Sequence, residues 1–211
     1  LQLHAMALRA RMNPHFIFNC LNSIKALIQE NQNAKAISYL TTFSKLTRKQ
    51  LNNNGNEISL AEELATCKLY LKLEALRFEQ HIAYEINIDD ENLLETTMVP
   101  PLCLQPFIEN AIVHGLLPSG NGGKVKLDVY RDGETVVCQI EDNGIGRVAA
   151  QANKEKSRPL HQSQGIELLE QRINLHNHLH NTAGTYEIID LYEQGRAIGT
   201  RVKIKFNIEE A

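Results

Sequence analysis

Residues 106–115 read PFIENAIVHG and follow the double proline Pro100-Pro101. At helical spacing this run presents Asn110 and His114 one turn apart, with Glu109 beside them. The neutral oxygen of an asparagine is a ligand that a phosphate-bound Mg²⁺ accepts while it keeps its other positions for water and nucleotide. An ordinary amphipathic helix with a polar outer face would show the same pattern, so this run needs support from the rest of the chain.

A second run, DNGIG at residues 142–146, directly follows the apolar stretch Val136 to Ile140. An acidic residue at a strand end, here Asp142, can accept a hydrogen bond from an exocyclic amine such as that of adenine. Gly144 and Gly146 allow the backbone to approach a ligand closely. A tight turn after a strand explains the same five residues equally well.

Two further glycine-containing runs lie nearer the C-terminus. Gly165 opens the predicted helix QGIELLEQRI, and free backbone N–H groups at a helix start favour a phosphate. Residues 195–200 read GRAIGT between two predicted strands and end on Thr200. A hairpin turn would account for the second of these runs.

The N-terminal run NPHFIFN, residues 13–19, places His15 in a predicted helix. Helical spacing puts His15 on a polar face with Arg11, Asn19 and Asn22, and the opposite face carries an apolar stripe. That stripe consists of Ile17, Leu21, Ile24 and Ile28. An exposed imidazole that is neutral near pH 7 can attack phosphorus through its free nitrogen. A surface histidine beside a helix kink at Pro14 is the plainer interpretation of this run taken alone.

The first 58 residues predict a helical hairpin. One helix reaches about residue 30 with an interruption at Pro14, and a second runs from about Ala34 to Leu51 and ends at NNNGN. A single hairpin has little interior, so we expect two copies to pair as a homodimeric four-helix bundle.

Residues 59–211 predict a separate α/β domain. Ser59 and Glu62 form a capping pattern for a helix that reaches Phe78. Alternating apolar residues predict five strands, and two helices interleave with them at about 102–116 and 165–180. The strands lie at about 82–88, 125–130, 136–141, 185–192 and 200–207. We expect a sandwich with one mixed, mainly antiparallel sheet, and a polar lid at residues 147–164.

Composition narrows the class of protein. Residues 1–52 carry seven Lys or Arg and one acid, Glu30, so this part has a charge of about +6 and the remainder about −9. The basic residues are dispersed without interleaved aromatic residues, which favours an acidic protein partner over direct nucleic acid binding. The four cysteines lie far apart among apolar neighbours and predict reduced, buried thiols rather than a disulfide framework or a cysteine zinc site.

The chain shows no apolar run long enough to span a membrane and no secretory leader, which predicts a soluble chain. It begins on Leu1 within a helical pattern, so we expect it to be cut from a longer protein.

The order and spacing of these runs resemble the sensor histidine kinases of the LytS/YehU type. The resemblance extends from NPHFIFN through YLKLEALRF at 70–78, PFIENAIVHG, EDNGIG and QGIELLEQRI to GTRVKIKF. It implies an α+β architecture in which a phosphoacceptor hairpin, residues 1–58, precedes a GHKL (Bergerat-type) ATP-binding domain, residues 59–211. It also implies Mg²⁺ and ATP as cofactors, autophosphorylation, and transfer of the phosphoryl group to an aspartate of a response regulator.

The resemblance assigns roles residue by residue. His15 becomes the phosphoacceptor and Asn110 the Mg²⁺ ligand, and His114 lies with it in the ATP site. Asp142 becomes the acid that binds adenine, and the remaining ATP contacts fall on Gly144, Gly146, Gly165 and Thr200. Glu109 is a candidate general base, and Asn19 a residue that assists dephosphorylation of the regulator.

The family also implies a regulator of LytTR type and an upstream membrane sensor region, so that this chain would be the cytoplasmic part of a cell-membrane protein.

Two departures from the usual pattern, at Glu167 and Phe16, and one comparison with GHKL ATPases, at Pro106, bear on the alternatives. Glu167 stands where the family usually has a further glycine, which would suit a degenerate, nucleotide-gated dimerisation scaffold. Phe16 follows the histidine where many histidine kinases have an acid. Pro106 occupies the place of the glutamate on which hydrolysis depends in related GHKL ATPases, which disfavours water activation.

Overall fold

The computed structural model describes residues 14–52, 57–78, 81–154, 162–180 and 182–208. The chain begins with two antiparallel helices, α1 (Pro14–Gln29) and α2 (Asn33–Asn52). Asn31, at the turn between them, has a φ of 60°, a left-handed conformation that asparagine tolerates better than most residues. The predicted hairpin is therefore present, and the described part of α1 begins at Pro14, so the prediction that Pro14 interrupts or restarts the helix lies partly outside the described residues. Arg11 lies outside the described residues.

The hairpin packs on the following helix, α3 (Leu60–Arg77), mainly through residues outside the predicted stripe, although Ile24 of the stripe also packs on the core. Phe16 contacts the ring of Tyr70 at 5.3 Å between centroids, while Cys20, Tyr39 and Leu46 are fully buried. Leu21 and Ile28 of the stripe instead stay exposed, as do Ile37, Leu40 and Leu51 of α2. The hairpin thus has two apolar faces, and α3 covers one of them.

Helix α3 begins with the predicted cap. The Ser59 hydroxyl accepts from the Glu62 N–H at 3.3 Å, and the Ser59 N–H donates to the Glu62 carboxylate at 3.4 Å. This reciprocal pair satisfies two backbone donors that a helix start leaves open. The residues that precede the helix form strand β1 (Ile58–Ser59), which pairs antiparallel with β3 (Met98–Val99).

The main sheet has five strands in the order β2-β4-β5-β7-β6. Its first pair is parallel and the other three are antiparallel, so the mixed and mainly antiparallel sheet is as predicted. The strands are β2 (Ile82–Ile88), β4 (Gly123–Asp132), β5 (Thr135–Asp142), β6 (Thr185–Glu193) and β7 (Arg196–Asn207).

One face of the sheet supplies the core. Alternate residues such as Val125, Leu127 and Ile204 are buried, and their neighbours along each strand are polar. On the polar face, Arg201 of β7 donates to Glu141 of β5 at 2.7 Å. This alternation is typical of an antiparallel sheet that is covered on a single face.

The remaining helices connect these strands. They are α4 (Asn92–Thr96), α5 (Gln105–Asn110), a π-helical segment Ala111–Leu116, a 3₁₀ turn Leu117–Ser119, α6 (Gly146–Lys154) and α7 (Gln162–His180). The segment predicted as a polar lid thus begins and ends in helix, and residues 155–161 lie outside the described part. Within the described residues, no helix is both long and apolar enough to cross a membrane.

All four cysteines are buried with free thiols, as the sequence predicts. Burial raises the pKa of the Cys20 thiol to about 11.

A buried carboxylate fixes the start of α5. Glu63 of α3 is completely buried and accepts from the N–H groups of Leu102 and Leu104, both at 2.9 Å. Burial raises the pKa of Glu63, and these backbone donors act in the opposite direction. Because unsatisfied buried donors are costly, this side chain ties the α5 helix to α3.

We expect Glu63→Ala to lower the free energy of unfolding by about 3 kcal/mol, because it strands at least two buried N–H donors. Glu63→Gln keeps one acceptor oxygen and should lose less. Urea denaturation of both variants measures the effect, with the exposed Glu170→Ala of α7 as the matched control. A Glu63→Ala value equal to that of the control would contradict this role.

Candidate functional site

The runs singled out in the sequence converge where β5 ends. Asp142 is the last residue of β5, and its register partner on β7 is Thr200. The α5 helix and its π-helical continuation lie against the same point, because the Ile145 N–H donates to the carbonyl of Gly115 at 3.1 Å. Three runs that are distant in sequence therefore form one site.

Asp142 is 5% exposed and lies at the centre of this site. Its carboxylate accepts from the Gly144 N–H at 2.9 Å and from the backbone N–H of Thr200. Burial nevertheless raises the pKa of Asp142 to about 6, since the loss of hydration outweighs these two hydrogen bonds. Near pH 7 the side chain is a desolvated carboxylate, which makes it a strong acceptor for a ligand N–H.

Glycines clear the space around this carboxylate. A Cβ at Gly115 would lie 2.7 Å from Asp142 Oδ1, and one at Gly144 would lie 2.3 Å from the Gly115 carbonyl carbon. Gly199 has a φ of +147°, and a Cβ there would lie 1.9 Å from the Asp142 carbonyl oxygen. Only glycine allows these three backbones to approach the acid so closely.

Asn143 holds the turn from outside. Its Oδ1 accepts from the Lys124 N–H at 2.7 Å, which joins the turn to the start of β4. At the other end, Gly146 has a φ of +74° and begins α6. Arg147 then forms a bidentate pair with Asp190 of β6, with both N–O distances at 2.7 Å. The turn is therefore anchored to the sheet on both sides.

Asn110 and His114 are both partly exposed. Asn110 is the last residue of α5, and His114 belongs to the π-helical turn Ala111–Leu116 rather than to a continuous α-helix. Single π-turns inside helices are frequent at functional sites. The wider turn changes the angular spacing between Asn110 and His114 from the one assumed for an α-helix.

Glu109, the candidate base, is partly buried where α5 faces α3. Burial raises the pKa of Tyr70 and of Glu74, and the charge of Glu109 adds to both shifts. Tyr70 also contacts Phe16, the residue after His15. Glu109 and the start of α1 therefore lie along the same part of α3.

The other predicted residues lie on α1 and α7, and the structure describes some of them only in part. Gly165 lies within the first turn of α7, which begins three residues earlier at Gln162, so it does not open the helix as expected. His15 is the second residue of α1, and the side chain of His15 is not among those described. Asn19 lies one turn further along, where its carbonyl accepts from the Ser23 hydroxyl at 3.0 Å.

Comparison with known proteins finds similarity to histidine kinases. A family model described as histidine kinase matches residues 3–82. Sensor histidine kinase BtsS of Escherichia coli K12 is 38% identical over 138 residues, which cover 64% of this chain and 24% of that protein. Sensor protein LytS of Staphylococcus epidermidis ATCC 12228 is 32% identical over 146 residues, which cover 69% of this chain and 24% of that protein.

Over these matched residues the chain is similar to histidine kinases. It spans about a quarter of the length of these curated relatives. The solved catalytic domain of histidine kinase ThkA is 15% identical, with 72% of this chain and 94% of that chain covered and a TM-score of 0.48.

Sequence reasoning missed two contributors to this site. Gly115 was visible as the end of PFIENAIVHG, and a glycine inside a helix is a sign of close packing, but the packing partner lies across the fold. Glu63 appeared only as part of a capping pattern, since nothing local distinguishes it from the exposed Glu62. Both act through tertiary contacts with Asp142 or α5.

We expect Gly144→Ala to lower the free energy of unfolding by about 3 kcal/mol, because the added carbon overlaps the Gly115 backbone. Gly120→Ala is the control for backbone strain alone, since Gly120 has a left-handed φ of +71° with no atom within 4 Å, and this substitution should cost about 1 kcal/mol. Gly144 is not in the left-handed region, so its loss should come from the contact with Gly115. Thermal and urea unfolding measure both, and a loss at position 144 no larger than that at position 120 would contradict the role of the contact.

Proposed function

We propose that this chain is the catalytic core of a sensor histidine kinase of a two-component system, which binds ATP with Mg²⁺ and phosphorylates its own His15. The observation that carries the proposal is the buried Asp142 carboxylate in its glycine-lined cradle. A carboxylate with a pKa near 6 and little room around it suits an aromatic base that offers an exocyclic N–H.

The nucleotide site has distinct parts in this proposal. Asp142 accepts the amine of adenine, and Thr200 lies beside it as a second adenine contact. Gly144 and Gly146 give the ligand access to the backbone, and Gly165 and His114 lie toward the phosphates. Asn110 supplies the oxygen ligand for Mg²⁺, which when bound neutralises charge on the phosphates.

The transfer step follows from this placement. The neutral imidazole of His15 attacks the γ-phosphorus in line, an N–P bond forms, and the bond to the β-phosphate oxygen breaks to release ADP. The proton on the other ring nitrogen leaves to solvent or to a base, for which Glu109 is the candidate. The charge of Glu109 contributes to the raised pKa of Tyr70, and Tyr70 packs against Phe16, the residue after His15. This proximity supports Glu109 as the base.

The phosphoryl group then passes to an aspartate of a response regulator, which we infer to be of the LytTR type. A groove lined by cationic residues supports an acidic partner surface. It joins α2, α3 and β2, and its cations are Lys45, Arg48, Lys49, Lys68 and Lys72, with Glu62 as the one acid among the lining residues. Asn19 would position water for dephosphorylation of the regulator.

The homodimer remains part of the proposal. The uncovered face of the hairpin carries large exposed apolar side chains, of which Phe18 and Ile37 are each 66% exposed. A second hairpin would cover this face as a four-helix bundle. The intact protein would then carry its sensor region upstream of this chain, at the cell membrane.

A different activity, ATP hydrolysis, and a non-catalytic scaffold role are the alternatives. Pro106 is the second residue of α5, in the place where GHKL ATPases carry their glutamate, and Glu167 is exposed on α7. Incubation with γ-labelled ATP separates the three activities. A kinase transfers the label to the protein, and an ATPase releases it as inorganic phosphate. A scaffold leaves the label on ATP.

We expect His15→Gln to reduce stable labelling of the protein to background while ATP affinity stays unchanged. The wild-type label should be acid-labile and base-stable, as a phosphoramidate is. His178→Gln, on exposed surface of α7, is the control and should keep full labelling. Persistent label on His15→Gln, or an acid-stable label on the wild type, would overturn the assignment.

The pKa of Asp142 predicts how ATP affinity depends on pH. Adenine binding favours the ionised carboxylate, so affinity should be constant above pH 7 and fall as the pH drops through about 6, by about tenfold at pH 5. Asp142→Asn should bind more weakly and lose that part of the pH dependence. The phosphates of ATP titrate in the same way with wild type and with Asp142→Asn, so calorimetry of both proteins at each pH isolates the contribution of Asp142. Parallel pH profiles of ATP affinity would refute its role.

A further inference from the structure

A cluster of one carboxylate and two imidazoles lies away from the nucleotide site. Glu57 immediately precedes β1, where the chain leaves the hairpin for α3. His176 and His180 lie one turn apart near the end of α7 and face the same direction. Their ring centroids are 4.7 Å apart. The cluster therefore joins the junction after the hairpin to the helix that follows the lid segment.

The distances suit a common ion. Glu57 Oε2 lies 3.0 Å from His180 Nε2 and 3.8 Å from His176 Nε2, and one donor atom from each residue falls within 4.8 Å of the others. In a tetrahedral zinc site with bonds near 2.0–2.1 Å, neighbouring ligand atoms are about 3.3 Å apart. Small side-chain adjustments would bring all three donors to that spacing.

The helix end that carries the histidines is held in place. Asn177 Oδ1 accepts from the Gly184 N–H at 2.7 Å, and its Nδ2 donates to the Gly184 carbonyl at 2.8 Å. The same oxygen accepts from the Thr182 hydroxyl at 3.0 Å. These bonds fix the end of α7 against the start of β6, so the two imidazoles stand on a rigid support.

Burial and donor chemistry distinguish the kind of metal. The His176 side chain is 7% exposed, whereas those of His180 and Glu57 are 28% and 32% exposed, so the cluster opens to solvent on one side. Two imidazole nitrogens and one carboxylate oxygen are a zinc-type donor set that leaves one position for water. Mg²⁺ prefers oxygen ligands and octahedral geometry, so the ion used with ATP is a poor match.

We propose that Glu57, His176 and His180 bind one Zn²⁺ ion, which links the junction between the hairpin and the ATP-binding domain to the C-terminal end of α7. The plainer interpretation is an ion pair between Glu57 and a protonated His180, with no metal. A bound ion would instead connect three ligands across two elements and hold Glu57 to α7. The proposal concerns a site separate from Asp142 and does not depend on kinase activity.

The test is calorimetric titration of the untagged 211-residue chain with ZnCl₂ in the absence of nucleotide. Wild type should bind one Zn²⁺ that Glu57→Gln and His180→Asn each weaken at least tenfold. His178→Asn removes a histidine from an exposed position of the same helix and should keep wild-type affinity. Glu57→Gln and His180→Asn alter partly exposed side chains, so their folding is checked by circular dichroism in the absence of metal.

Two further readouts locate the ion. Zinc should raise the thermal midpoint of wild type and His178→Asn but not of Glu57→Gln or His180→Asn, since a ligand stabilises only the state that binds it. It should also slow hydrogen exchange at Ile58–Leu60. Equal zinc affinity in all four proteins would place the metal elsewhere, and absence of binding would leave an ion pair alone. Either result overturns the proposal, and neither bears on labelling at His15.

Discussion

The site around Asp142 depends on the contact between the backbones of Gly115 and Gly144 beside the Asp142 carboxylate. Any larger side chain at either glycine would separate the π-helical segment from the turn after β5. That contact brings the Ile145 N–H to the Gly115 carbonyl and lets the Asp142 carboxylate lie against Gly115. This close contact also keeps water away from the Asp142 carboxylate. A looser interface would hydrate the carboxylate and return its pKa to the ordinary value.

A second buried acid acts on the other end of the same helical segment. Glu63 holds the start of α5 through backbone donors, whereas Asp142 meets its continuation at Gly115. Both acids have raised pKa values from burial, and both accept from backbone N–H groups. Glu63 positions the segment that carries Asn110, whereas Asp142 is the acid of the proposed adenine contact.

Local patterns were sufficient for most of the fold. The alternation in Ile82–Ile88 and the Ser59–Glu62 pair predicted a strand and a capped helix, since both depend on neighbours in sequence. The π-turn at Ala111–Leu116 could not be predicted, because its wider winding accompanies packing against Asp142 and Gly144. The cluster of Glu57 with the α7 histidines was missed for a similar reason, since its members meet only after the chain has folded.

The hairpin shows why apolar periodicity alone did not identify its packing face. Both helices carry apolar residues around more than half of their circumference, and the sequence stripe through Leu21 and Ile28 competes with the face through Phe16 and Cys20. Helix α3 selects the second face because Tyr70 presents an aromatic ring to Phe16. That choice directs the start of α1 toward α3 and leaves the first stripe exposed, where the proposed second hairpin would pack. One hairpin would then contact α3 and a second chain at the same time.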